Sequence, residues 1–399
     1  MKEVMFVLPV MHGGGAERVA ALIANEMHTR GIKVTFVLTS DTEKQVIRTD
    51  LSAEIPLIIL PDLLGEESAF SKIRYRISGL LASALCKPFE LLKKPVSADL
   101  AKLSLSSEYH NEIQKMKEIL TEHQKATVIS FLQPSIPITL LAAKRLSNKI
   151  VLSERGDPQR LMKKRYGKKF IEKYYQRADK IVFQTEDAKK AYPESLSEKG
   201  VILSNPIKAN LPAPYHGERN KNITTFCRIS KQKNLPNLLQ AFLLVHQKHP
   251  DYRLRIIGDT FNQEGESVLE EIKEFISFNR LENAVKFEAF MDNVHQAIIK
   301  DAMYINSSDY EGISNAMLEA MAIGMPVVCT DCPIGGAKAT INDGENGLLV
   351  PIRDPKKLAE AVDRVIEDKD LSNKLSANAS QIRDHLSLDS ITDQWMKLV

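Results

Sequence analysis

Short apolar runs alternate with amphipathic stretches from one end of this chain to the other. Residues 3–8, 33–39, 55–60, 126–130, 149–153 and 180–184 read as strands, and Val201 opens one more. A second series follows at 223–227, 252–258, 285–288, 303–307, 326–330 and 348–350. Helical periodicity fills the gaps, for example at 16–30, 237–248 and 267–279. Strands that alternate with helices build parallel sheets covered on both faces. Between the two series, residues 210–222 carry Pro212, Pro214 and Gly217 and read as a linker. The pattern therefore predicts an α/β protein with two doubly wound domains facing a cleft. Residues 1–205 form the first domain and 206–380 the second, and a last helix within 381–399 is expected to pack back on the first. The stretch 62–122 is the least legible. It has a helical pattern, with Leu80, Leu81, Leu85, Phe89, Leu91 and Leu92 set among Lys72, Arg74, Arg76, Lys87, Lys93 and Lys94.

The densest chemistry lies in Glu311-Gly-Ile-Ser-Asn-Ala-Met-Leu-Glu319. Gly312 frees a turn, Ser314 is an N-cap residue type, and 315–323 reads as one short helix stopped by Gly324 and Pro326. Glu319 falls inside it, eight positions after Glu311. A helix start offers amides and a positive dipole end to an anion. A carboxylate beside a phosphate site accepts hydrogen bonds from neighbouring hydroxyls, as a ribose presents them. Two further clusters favour a phosphate-bearing ligand. Gly13-Gly14-Gly15 lies between a strand and a helix, where glycines let amides approach a phosphate. Arg228 and Lys233 follow a strand in the second half and pair a planar fork with a point charge.

Composition narrows the function classes. The chain has 399 residues, 43% hydrophobic and 26% charged, values typical of soluble globular proteins. No apolar run approaches the ~20 residues that span a bilayer, and the first apolar stretch reads as a strand, not a leader. The expected location is cytoplasmic. Four cysteines make no disulfide framework, and the Cys329/Cys332 pair lacks the partners of a zinc site, so reduced structural thiols are expected. Net charge is +3 but uneven. Residues 1–205 hold 32 Lys+Arg against 24 Asp+Glu, and the remainder holds 22 against 27. Nine of the residues from Arg160 to Lys180 are Lys or Arg. With the basic 72–94 stretch, they suggest docking on an anionic membrane surface at the inner face of the cell membrane. No nucleic-acid partner is expected.

These clusters resemble the retaining glycosyltransferases of family four, whose GT-B fold has two Rossmann-like domains. The resemblance spans nearly the whole chain. It is strongest from Cys227 to Pro351, where the Glu311–Glu319 run matches the family's glutamate-x7-glutamate motif and Ile341-Asn-Asp-Gly-Glu-Asn-Gly matches the element that follows. Gly13-Gly-Gly-Ala-Glu-Arg-Val19 is similar to the opening of members that build bacterial surface polysaccharides and lipid-linked oligosaccharides. Two positions depart from the pattern. Cys227 stands where the family usually has glycine, and Ser153-Glu154-Arg155 where many relatives carry a histidine.

The resemblance implies transfer of a sugar from a nucleoside-diphosphate sugar, a UDP-sugar by preference, to a hydroxyl of a glycan or lipid-linked glycan. Glu319 would hold the ribose, and Glu311 would lie near the sugar and departing phosphate. Arg228 and Lys233 would neutralise the diphosphate, supported by the amides of Ile313, Ser314 and Asn315. Gly14 and Gly15 would close on it from the other domain, and the base would rest near Phe290 and Met291. His12, Glu154 and Arg155 are candidate sugar contacts. Neither cofactor nor metal is expected, because basic residues can replace a cation. Two alternatives stay open: a same-fold nucleotide-sugar epimerase and a nucleotide-sugar-binding partner subunit without turnover. A nicotinamide enzyme is disfavoured, since Gly13-Gly-Gly departs from the G-x-G-x-x-G fingerprint.

Overall fold

The computed structural model of the protein describes residues 2–40, 50–64, 84, 96–163 and 167–399. The chain divides into two compact units. One comprises Met1–Pro206 with Leu388–Val399, and the other Ile207–Ser387.

The first unit is built on a seven-stranded sheet. Its strands are β1 (Glu3–Leu8), β2 (Lys33–Leu38), β3 (Leu57–Ile59), β4 (Thr127–Phe131), β5 (Lys149–Ser153), β6 (Lys180–Phe183) and β7 (Gly200–Ile202), in the order β3-β2-β1-β4-β5-β6-β7. All pairings are parallel. The continuous apolar character of β1 follows from burial on both faces: Val4 to Leu8 are all buried. Phe6 stacks on Phe36 at 5.5 Å and on Phe131 at 6.1 Å. The helix Leu388–Met396 belongs to this unit and lies against the helix Gly15–Thr29. Its Trp395 is fully buried and stacks on Phe131 at 5.7 Å. Arg30 donates to Asp389 and Asp393 of the same segment.

The second unit has a six-stranded parallel sheet. Its strands are β8 (Asn222–Phe226), β9 (Arg253–Ile257), β10 (Val285–Glu288), β11 (Met303–Asn306), β12 (Val327–Thr330) and β13 (Leu348–Val350), in the order β10-β9-β8-β11-β12-β13. Side chains alternate between its faces, as the strand period requires. Met303, Ile305 and Val328 pack with the helices Leu235–Lys248, Gln263–Phe278 and Pro355–Glu367. Tyr304, Val327 and Cys329 pack on the other face with the helices Val294–Ile298 and Asn315–Ala322. Both sheets thus have the Rossmann-like order, in which the direction of winding reverses beside the first strand. That reversal lies between β1 and β4 in one unit and between β8 and β11 in the other.

Several helices begin earlier than hydrophobic periodicity suggests, because polar caps fix the start. Asn234, at φ 44, accepts from the Asn237 amide at 3.3 Å, so that helix starts at Leu235 and not at 237. Asn262 accepts from the Gly265 amide at 3.0 Å and moves the next start to Gln263. The proline-rich stretch 210–222 is not loose. Arg219 donates to the carbonyls of Ile299, Asp301, Tyr215 and Gly324 and to Ser376, tying it to the second unit. In the stretch 62–122, the helices Ala98–Glu108 and His110–Glu122 are described. The basic stretch 72–94 lies outside the described residues, apart from residue 84. No described helix is long and apolar enough to cross a membrane.

Candidate functional site

In open α/β sheets, ligands bind beyond the carboxyl ends of strands at the point where strand order reverses. In the second unit that point is flanked by the segments after β8 and β11, which carry Arg228, Lys233, Glu311 and Glu319.

The segment after β8 turns sharply. Gly258, at φ +146, leaves room for it, since a Cβ there would stand 2.0 Å from the Cys227 carbonyl oxygen. A 3-10 turn, Lys231–Lys233, follows. It is laced to the segment after β11 by backbone and side chains. The Asp309 amide donates to Gln232 O at 2.9 Å, and Gln232 Nε2 donates to Tyr310 O at 2.9 Å. Ser307 Oγ donates to Lys233 O at 2.8 Å, and Asn234 Nδ2 donates to Asp309 at 2.7 Å. This lacing sets Lys233 Nζ against Glu311 Oε2, to which it donates. Ser308 Oγ donates to the same oxygen at 3.1 Å and to Asn306 Oδ1 at 2.6 Å. Burial disfavours the Lys233 ammonium, but the charge and hydrogen bond of Glu311 outweigh it, and the net shift raises the Lys233 pKa. Arg228 is exposed and close enough to act electrostatically on both Lys233 and Cys227.

Past Glu311, the chain enters the helix Asn315–Ala322. Ser314 caps it, accepting from the Met317 amide at 3.3 Å. The loop before the helix is clamped from outside. A Cβ on Gly336 would stand 1.7 Å from the Gly312 carbonyl oxygen, so only glycine lets the 333–336 turn press on this loop. Glu319 does not lie on the helix surface. It is 4% exposed, and its Oε2 stands 2.8 Å from Nε2 of His295, itself 7% exposed. His295 meets the ring of Phe226 edge-on at 5.7 Å. Phe290 is 57% exposed after β10, its amide donating to Asp259 at 3.3 Å, while Met291 is packed against the core beside the helix.

The three thiols among the described residues surround this cluster. Cys329 and Cys332 are buried, Cys227 half-buried, and all are unbridged. Burial raises all three, Cys332 to about 12, so they remain protonated at neutral pH.

The remaining candidates lie in the first unit. Gly14 caps the helix Gly15–Thr29, but its amide donates to Glu17 Oε2 at 2.8 Å, and the His12 amide donates to the same oxygen at 2.7 Å. A carboxylate from the chain itself thus sits in the glycine turn. The His12 side chain is exposed. Glu154 is buried and accepts from Tyr175 Oη at 2.6 Å, which in turn accepts from Gln133 Nε2 at 2.9 Å. Arg155 donates to Ser153 Oγ at 2.8 Å and Asn205 Oδ1 at 2.5 Å, with its guanidinium over Phe131 and Trp395 at 5.1 and 5.8 Å. Burial lowers its pKa to about 9, still charged at neutral pH. Arg155 therefore ties the C-terminal helix to β4. The basic run is partly neutralised: Lys169 pairs with Glu172, Lys173 pairs with Asp99, and Arg177 donates to the carbonyls of Leu146 and Asn148. Lys164 and Arg165 lie outside the described residues.

The structure thus brings Lys233, Arg228 and Glu311 into one charged cluster and sets Ser314, Asn315 and Glu319 on the adjoining helix. Sequence reasoning missed His295, Glu17 and the bracing residues Gln232, Asn234, Ser308 and Asp309. Of these, Glu17 and Asn234 carry local signals, an acidic residue at the third position of a helix and an N-cap residue type before Leu235-Pro236.

Comparison with known proteins identifies the region. Residues 210–382 match the family model of the group 1 glycosyl transferases. An uncharacterized glycosyltransferase of Haemophilus influenzae is 23% identical over 99% of both chains. The poly(glycerol-phosphate) alpha-glucosyltransferase of Bacillus subtilis is 26% identical over 60% of this chain and 35% of its own length. Among solved structures, Anabaena Alr3699/HepE in complex with UDP-glucose superposes with a TM-score of 0.76 at 18% identity, over 100% of this chain and 99% of that one. Over residues 210–382 the chain is thus similar to the group 1 glycosyl transferases, and its two Rossmann-like units are those of the GT-B fold.

Proposed function

We propose that this protein is a retaining glycosyltransferase that moves a sugar from a UDP-sugar to a hydroxyl of a glycan or lipid-linked glycan in bacterial surface polysaccharide or glycoconjugate synthesis. The observation that carries the proposal is the buttressed Lys233–Glu311 pair beside the capped helix Asn315–Ala322, at the winding reversal of the second sheet. The UDP-glucose complex of the HepE structure and the glucosyl transfer named for the Bacillus subtilis relative support the donor class.

The difficult step is departure of the diphosphate. As the bond from the anomeric carbon to the diphosphate oxygen breaks, negative charge collects on that oxygen. Arg228 and Lys233 stabilise it, and the dipole of the helix behind Ser314 adds to them. The acceptor hydroxyl forms the new bond on the same face of the sugar, and its proton passes to the departing phosphate oxygen. No enzymic nucleophile is required. Glu311, held by Lys233 and Ser308, faces the donor sugar, and Glu319 accepts from the ribose hydroxyls. Phe290 and Met291 border the base. Two cationic side chains supply the charge that a divalent ion would bring, so turnover is expected to persist in EDTA. The enzyme would work in the cytoplasm at the inner membrane face, where the basic surface of its first unit meets anionic lipid.

Purified protein incubated with UDP-, GDP- and ADP-sugars tests this reading. Release of nucleoside diphosphate with one of them, abolished in Glu311→Ala and Lys233→Ala, supports an enzyme. Binding without release would make the protein a nucleotide-sugar-binding partner subunit instead.

A further inference from the structure

The buried partner of Glu319 has no role in the reaction as drawn above. His295 lies on the helix Val294–Ile298, 24 positions before Glu319, on a different element and outside the glutamate motif. Its Nε2 stands 2.8 Å from Glu319 Oε2. A carboxylate only accepts, so with Glu319 ionised the hydrogen lies on Nε2. The ring of Phe226, the last residue of β8, packs at a right angle to the imidazole. His295 thus links the carboxylate to the strand from which the loop bearing Arg228 and Lys233 leaves.

We propose that His295 is a positioning residue that sets the plane of the Glu319 carboxylate for recognition of the donor's ribose hydroxyls, and so helps the site select ribonucleotides. This rests on the reading of Glu319 as the ribose acceptor. A glutamate that samples several rotamers loses that freedom when a ligand binds, whereas one already fixed does not. A carboxylate has about four lone-pair sites, so a bond to the histidine leaves capacity for ribose hydroxyls. Outer partners orient metal ligands in the same way. The contact is made alike in ground and transition states, so its loss raises KM and leaves kcat nearly unchanged.

The test compares UDP with 2′,3′-dideoxy-UDP by calorimetry, alongside donor kinetics. The wild type is expected to prefer UDP by about tenfold or more, as loss of one or two hydrogen bonds to a charged group predicts. In His295→Met that preference falls below about threefold, and donor KM rises about tenfold with kcat within about twofold. His295→Gln keeps a donor that reaches Glu319 and restores the preference. His295→Asn ends short of that oxygen; it behaves like the methionine variant and replaces it should that variant fail to fold. A full preference for UDP in the methionine or asparagine variant, with both nucleotides weakened equally, overturns the positioning role and leaves only packing. Equal affinity of the wild type for the two nucleotides overturns the ribose reading of Glu319 itself, and the proposal with it.

Discussion

Lys233 and Glu311 carry opposite charges in a site of limited solvent access, and each accounts for the other's presence there. Removing either leaves the other uncompensated, and removing Lys233 also takes a positive charge from the proposed leaving-group site. Lys233→Ala is expected to cost about 3–4 kcal/mol of transition-state stabilisation, on the scale of a lost oxyanion donor. In kcat/KM that is a loss on the order of 100-fold or more. Steady-state assay of diphosphate release checks it. The raised Lys233 pKa fixes the sign of its pH dependence. Its contribution to stability is full below the ordinary lysine range and is lost only as pH rises through the higher folded value, so no Lys233 step is expected between pH 6 and 9. Acid sensitivity should come from elsewhere. Arg255, by hydrogen bond and charge, outweighs burial and holds Glu288 below the usual carboxylate range. That stability is present above the ordinary glutamate value and is lost as pH falls through the folded one. Glu288→Gln should therefore flatten the fall in Tm below about pH 4.5. Equal acid slopes in variant and wild type would contradict this.

At the scale of elements, turns and caps decide where side chains point. The glycine at 336 and the carboxylate at Glu17 test this independently. Gly336→Ala forces its Cβ into the Gly312 carbonyl, and backbone cannot yield as a side-chain tip does. The loop Glu311–Ser314 should shift, weakening UDP-sugar binding more than it lowers Tm. Glu17→Ala strands the amides of His12 and Gly14. A loss of about 1–2 kcal/mol is expected in denaturant unfolding of the first unit. The strands were legible from the sequence because buried parallel strands are continuous apolar runs, and the cap at Ser314 because its residue type and the following apolar helix agree. Helix starts at Leu235 and Gln263 were less legible, since the caps at Asn234 and Asn262 lie outside the periodic pattern. His295 was illegible. Nothing local marks a histidine whose partner is 24 residues on, and only the folded sheet brings the two together.

The whole molecule repeats one design: a parallel sheet wound outward in both directions from its first strand. The chain's last twelve residues rejoin the unit that contains its first. Trp395, the chain's single tryptophan, is fully buried there against Phe131 and Arg155. Its fluorescence should report unfolding of the first unit alone, and Trp395→Ala should cost that unit about 3–5 kcal/mol. In the full chain, a tryptophan transition that follows a probe placed within 207–387 and not one placed in the first unit would refute that assignment. The charge asymmetry of the sequence has a whole-molecule consequence as well. Wild-type protein is expected to float with anionic vesicles at low salt and to detach as salt rises. Absence of flotation would remove the membrane-docking proposal and leave the sugar-transfer chemistry untouched.

The most direct measurement is release of nucleoside diphosphate from a panel of UDP-, GDP- and ADP-sugars by the pure protein, run beside Lys233→Ala and Glu311→Ala in EDTA. The account predicts release from a UDP-sugar by the wild type and a drop on the order of 100-fold or more in both variants. Variants as active as the wild type, or no release from any nucleotide sugar, would contradict it.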